Sequence, residues 1–307
     1  MAVFSKKELY FPEFSKTMVA GENQYLSFYT DKTAIEEFDI LFDKLMESYG
    51  RRHLPIYRMC DAEYMYCVGR QVPDTLSWSG KMKYRLKTTL VNRGLVKQRT
   101  GHVNKVNGEV WFGETYSPKE QAQLKEKYLN DLKIVAAQGF LAPHLVYSVS
   151  RFAEEYIDPM FDFFKQNKII ITKDNYFPFY FVYVMLSLER YKRKLLEGKR
   201  VLVVTAFNER NKQENFRENF AKENVAELTF YNISHDKSML DVIDRTKLPE
   251  DVDLVLIGAG IGSVNIMNQL GHLNALCVDA GHVLDCFSRP NLRLERMCLL
   301  PDVETGK

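Results

Sequence analysis

At 307 residues the chain is long enough to fold as one large domain or two unequal lobes around a sizeable core. A hydrophobic fraction of 46% with 27% charged residues excludes a disordered or fibrous protein. With 42 basic against 40 acidic residues the formal net charge is +2, too little to supply the field that nucleic-acid binding needs, so no nucleic-acid partner is expected.

The opening residues carry charges and aromatics but no apolar stretch of signal-peptide type, and no segment approaches a membrane span. Residues 33–49 show apolar positions at helical spacing (Ile35, Phe38, Leu41, Phe42, Leu45, Met46), stopped by Gly50. Residues 53–60, HLPIYRMC, read as a buried strand that ends in an acidic pair. Residues 79–92 and 118–138 are helical in pattern. The stretch 101–116 between them is a loop with His102, Trp111, Phe112 and Tyr116, either packed or forming a lid over substrate.

Further along, 152–166 reads as a helix, 168–172 (KIIIT) as a strand and 178–196 as one long aromatic-rich helix. The run 189–200, ERYKRKLLEGKR, is a solvated helix end or a peripheral contact for anionic lipid or a phosphorylated acceptor. A regular rhythm follows, with strands at 200–207, 227–234, 253–258 and 275–279 and helices at 210–223, 237–244 and 264–270. That alternation predicts βαβ crossovers, hence an α/β fold with a doubly wound, mostly parallel Rossmann-like sheet and helices on both faces. No repeat or linker divides the chain, so 1–307 reads as a single domain, with a waist near 198 between an N-terminal lobe and a C-terminal lobe.

The five cysteines (Cys60, Cys67, Cys277, Cys286, Cys298) form no C-x-x-C pair, which fits a reducing, cytoplasmic setting better than a disulfide framework or a zinc site.

Three segments fall at strand ends, where doubly wound sheets gather ligands. In Arg58-Met59-Cys60-Asp61-Ala62-Glu63 the two carboxylates can converge on one hard cation such as Mn²⁺ or Mg²⁺. Equally, Asp61 can be a helix N-cap and Glu63 a favourable first-turn charge. Arg58, on an otherwise apolar strand, needs a partner, from one of those carboxylates or a ligand phosphate. In Gly258-Ala259-Gly260-Ile261-Gly262-Ser263 the glycines can expose amides to a diphosphate, or simply make a tight turn. Asp279-Ala280-Gly281-His282, with Asp285 following, offers Asp279 and His282 as a general base, a ribose contact or an orienting group. The polar stretches Thr205–Asn208 and Lys173–Tyr176 also follow strands, as ligand contacts or as caps and turns.

Together these segments resemble the GT-D family of bacterial glycosyltransferases, over about 54–287. The family's R-F-G-D-G-E-like stretch with its D-x-E core stands here as Arg58 to Glu63, with Cys60 and Ala62 in place of the flanking glycines. Its later strand, small-residue turn and D-x-G-H-like strand end stand as DLVLIGAG and VDAGH. The resemblance implies metal-dependent transfer from a nucleoside-diphosphate sugar, a UDP-sugar by preference, to a glycan, glycoprotein or other acceptor. Asp61 and Glu63 would be its metal pair. Arg58, Gly258, Gly260, Gly262 and Ser263 would then contact the donor, and Asp279 or His282 would take the acceptor proton. Two other readings remain: an NAD(P)-dependent oxidoreductase using GAGIGS with Asp279 as the acidic residue about 20 positions on, and a non-catalytic binding domain. In the oxidoreductase pattern the third glycine would fall at Ser263.

Overall fold

The computed structural model describes residues 4–12, 24–68, 77–92, 95, 118–144, 146–147, 151–235, 237–281 and 283–288. His282, Cys298 and the loop 101–116 with its aromatics lie outside the described residues, as does the side chain of Asp61.

In chain order the elements are β1 (Ser5–Glu8), β2 (Gln24–Ser27), α1 (Ala34–Ser48), β3 (Leu54–Met59), α2 (Asp61–Val68), α3 (Trp78–Asn92), α4 (Pro118–Gln138), β4 (Phe140–Pro143), β5 (Val146–Tyr147) and α5 (Arg151–Gln166). They continue with α6 (Phe181–Ser187), α7 (Glu189–Leu196), β6 (Arg200–Thr205), α8 (Lys212–Ala221), β7 (Glu227–Asn232), β8 (Leu254–Gly258), α9 (Ser263–Gln269), β9 (Leu276–Asp279) and α10 (Val283–Ser288). The main sheet has six strands in the order β4-β3-β9-β8-β6-β7, every pairing parallel. A second, antiparallel sheet runs β1-β2-β5.

Successive residues of each central strand enter opposite cores, as the two-residue strand period requires. Ile56, Val201, Val203, Leu256 and Val278 pack with α1, α6, α7, α8 and α10. Tyr57, Leu202, Val204, Val255 and Cys277 pack with α2, α4, α5 and α9. Covering both faces explains why β3 is buried at every position and why these strands read as unbroken apolar runs. Each fully buried Val, Leu, Ile or Phe contributes about 1.5–3 kcal/mol relative to exposure.

The α/β architecture is as the alternation predicts, but the sheet is not confined to the second half. β3, from before residue 198, pairs with β9 from near the end of the chain's strands and carries β4 on its other side, so one sheet crosses the expected waist. Three local expectations need correction. Residues 168–172 form no strand: Ile170 is 74% exposed, and the outer edge of β4 is met instead by Asn175 and Phe177, which bond Leu141 at 2.7 and 2.9 Å. The helix expected at 178–196 breaks at Leu188 (ψ 127°) into α6, buried at all seven positions, and α7, buried on one stripe only. At 237–244 a single 3₁₀ turn (Ser238–Leu240) replaces a helix, because Asp241 turns back to accept from the Ser234 amide and hydroxyl, both at 2.6 Å. Strand β4 had no expectation, since FLAP is too short to show a period.

Helix α1 does start where its sequence says: Thr33 and Glu36 close a capping box.

Candidate functional site

The parallel sheet brings the carboxyl ends of β3, β9, β8 and β6 to one rim, and with them Arg58, Asp279, the glycine turn and Thr205. A topological switch lies between β6, whose chain continues outward to β7, and β8, whose chain continues the other way to β9.

At the β3–β9 junction the Arg58 amide donates to Asp279 Oδ2 (3.3 Å) and the Arg58 Nε donates to the Asp279 carbonyl (2.7 Å). The guanidinium is held between two rings, its carbon 5.0 Å from the Phe179 centroid and 4.9 Å from that of Tyr183. Burial works against its charge, but Tyr183 and Asp279 more than offset that, so its proton affinity is raised. Nη1, fully enclosed, has no hydrogen-bond partner among the described residues. Gly281 is what allows this seat: its φ is +49°, and a Cβ there would lie 1.9 Å from Arg58 Nη2.

Asp279 is 5% exposed. Besides the Arg58 amide, it accepts from the Ser263 hydroxyl at 3.2 Å. Burial pushes its carboxyl up from the ordinary 3.8 to about 6, against the pull of Arg58 and Ser263 in the other direction.

The acidic pair sits in the first turn of α2. Cys60 is the residue before the helix, its carbonyl accepting from Tyr64 N at 3.1 Å, so the cap falls on Cys60 and not on Asp61. Glu63, 4% exposed, folds back so that Oε2 accepts from the Cys60 amide at 3.0 Å and from the Cys60 thiol. Among the described residues no group of three or more His, Cys, Asp or Glu is gathered as for a metal ion.

The glycine turn has structural duties. Gly258 lies under Thr205 and Leu284, whose atoms would sit 3.2 and 3.0 Å from a Cβ, and Thr205 Oγ1 donates to the Gly258 carbonyl at 2.9 Å. Gly262 lies under Ser238, whose Oγ would be 2.2 Å from a Cβ. Gly260 takes φ +53° in the short 3₁₀ turn, and Ser263 starts α9 with its hydroxyl on Asp279. An acidic residue so engaged does not point at a ribose, which removes the main support for a dinucleotide site. Lys173–Tyr176 form a turn closed by Asn175 Oδ1 on the Thr172 amide at 2.7 Å.

Two features at this rim had no place in the sequence reading. Phe179 and Tyr183, one helical turn apart in the aromatic stretch, sandwich Arg58; their spacing was the available signal. Lys212, 7% exposed, donates to the Ala206 carbonyl at 3.1 Å beyond β6, and burial lowers its proton affinity while Asp285 raises it.

In the basic run 189–200, ion pairs join Lys192 to Glu189 and Glu223, Arg193 to Glu197, and Arg200 to Asp251 and Asp253, while Arg190, Lys194 and Lys199 lie over the rings of Tyr191, Phe42 and Tyr49. Among the described residues no helix is long and apolar enough to cross a membrane.

No curated protein and no solved structure matches the chain. A family model does: GT-D-like, described as a GT-D fold-like domain, matches residues 145–287. That stretch holds β6 to β9, the glycine turn, Asp279 and the Phe179–Tyr183 clamp, and it begins after Arg58, Asp61 and Glu63. Over residues 145 to 287, therefore, the chain is similar to a GT-D fold-like domain.

Proposed function

We propose that this protein is a glycosyltransferase that moves a sugar from a nucleoside-diphosphate sugar, a UDP-sugar first among them, to a hydroxyl of a glycan, glycoprotein or other acceptor. The observation that carries this reading is Arg58: a charged guanidinium, enclosed by two aromatic rings at the carboxyl rim, with Nη1 unpartnered. Such a group wants a strongly accepting anion, and a diphosphate is the leaving group of this chemistry. The GT-D fold-like domain that supplies the clamp supports the same class.

On this reading the donor diphosphate sits over β3 and β9, and the glycine turn (Gly258, Gly260, Gly262, Ser263) shapes the floor more than it grips phosphate. Asp61 and Glu63 are the proposed holders of Mn²⁺ or Mg²⁺. Glu63 spends Oε2 on the Cys60 amide, but a carboxylate offers about four acceptor sites, so capping and coordination are compatible in number. The cation, when bound, supplies positive charge against the departing diphosphate. Asp279 or His282 takes the acceptor proton; for Asp279, burial raises the proton affinity toward what a base needs near neutrality. Among the described residues Cys60, Cys67, Cys277 and Cys286 form no disulfide, which agrees with a cytoplasmic setting.

Thermal-shift titration with UDP, UDP-glucose, UDP-galactose, GDP-mannose and NAD, each with and without Mn²⁺, tests this on the wild type and on Asp61→Ala/Glu63→Ala. Stabilisation by a sugar nucleotide that requires Mn²⁺ and vanishes in the double variant is expected. Metal-independent stabilisation by NAD alone would overturn the reading.

A further inference from the structure

Helix α3 reads WSGKMKYRLKTTLVN, with Lys81, Lys83, Arg85 and Lys87 and no acidic residue. Large apolar residues at positions i, i+4 and i+8 normally turn toward a core. Here Trp78 is 78% exposed, Met82 49% and Leu86 61%. At 100° per residue these three share an arc of about 80°, with Arg85 about 20° outside one border and Lys83 about 60° outside the other. Both cations are exposed as well.

An exposed apolar arc bordered by cations on both sides is the pattern of a helix lying in a membrane interface. We propose that α3 is a membrane-docking element: Trp78, Met82 and Leu86 enter the headgroup region of an anionic bilayer, while Lys83 and Arg85 meet lipid phosphates. Charge decides between occupants. A second copy meeting α3 face to face would oppose cations with cations, which penalises self-association, whereas an anionic surface is complementary. The other basic stretch, 189–200, offers no equivalent, because its apolar residues Tyr191, Leu195 and Leu196 are buried, so no apolar face lies between its cations. The proposal does not depend on the sugar-transfer reading and needs only the full chain.

The test is co-sedimentation of the full chain with vesicles of phosphatidylcholine alone or mixed with phosphatidylglycerol, at low salt and at 1 M salt, where the screening length falls to about 3 Å. Binding is expected to the mixed vesicles only, and to weaken strongly at high salt. Trp78→Ser/Leu86→Ser and Lys83→Glu/Arg85→Glu should each lower vesicle affinity about tenfold or more while leaving the unfolding midpoint unchanged. Equal binding to neutral and anionic vesicles, or none to either, would overturn the proposal through the wild type alone, whatever the variants do. So would concentration-dependent dimerisation without vesicle binding, abolished by the same substitutions.

Discussion

Among the described residues three carboxylates are buried, Glu37, Glu63 and Asp279, and the first and last of them sit in contrasting surroundings. Glu37, 0% exposed on α1, accepts from Tyr25 and Ser27 hydroxyls at 2.8 and 2.7 Å, with Lys7 Nζ 3.5 Å away, beneath the small antiparallel sheet. Asp279, 5% exposed, accepts from Ser263 and from the Arg58 amide at the carboxyl rim of the parallel sheet. Burial raises the proton affinity of both. A perturbed buried acid is thus no signature of chemistry by itself. What separates them is how the cation is held: Lys7 Nζ lies 3.5 Å from the Glu37 carboxylate, whereas Arg58 meets Asp279 through its amide and through Nε on the Asp279 carbonyl, with its guanidinium between two aromatic rings.

The largest expected effect tests the structural member. Glu37→Ala strands Lys7 and two hydroxyls in a closed interior, so urea unfolding should show a loss of about 3–5 kcal/mol. A loss under about 1 kcal/mol would mean that the small sheet opens easily and that the two acids are not comparable.

Gly281→Ala acts on the other member. With φ +49° and Arg58 Nη2 in the way, it should cost about 2–3 kcal/mol and displace the guanidinium. Donor-dependent stabilisation should then disappear even at temperatures where the variant is folded. If donor binding survived, Arg58 would not be the phosphate contact.

The smallest effect concerns pH. For Asp279 the folded form holds its proton more tightly than the unfolded chain, so the stability it contributes is full below about pH 3.8 and is lost as pH rises toward about 6. Asp279→Asn should remove this component, on the order of 2 kcal/mol across the window, from the wild-type stability profile. Glu37 and His53 also titrate abnormally, the latter lowered to about 4 by burial, so only the difference between wild type and variant isolates Asp279. A flat difference from pH 4 to 6 would refute the assignment.

How legible was this in the sequence? The strands covered on both faces, β3, β6, β8 and β9, announced themselves as apolar runs, and α1 by its apolar positions at helical spacing. Arg58 stood out because a charge inside such a run is costly without a partner. What sequence could not reveal was contact at long separation: that Arg58 would meet Asp279, 221 residues on, or that Phe179 and Tyr183 would close over it. Sequence left open whether the D-x-E pair closes a strand or opens a helix, and α2 starts at Asp61. The glycines of 258–262 looked like a phosphate cradle, yet Gly258 and Gly262 are small because Thr205, Leu284 and Ser238 press on them.

The position of β9 between β3 and β8 has a consequence for synthesis. As the chain leaves the ribosome, β3 and β4 can pair early, but the inner edge of β3 has no neighbour until Leu276–Asp279 emerges, more than two hundred residues later. Until then a fully apolar strand edge stands open, a template for wrong pairing with other nascent chains. Final insertion of β9 closes that edge and in the same movement seats Arg58 against Asp279, so the proposed site comes into being only when assembly of the sheet is finished.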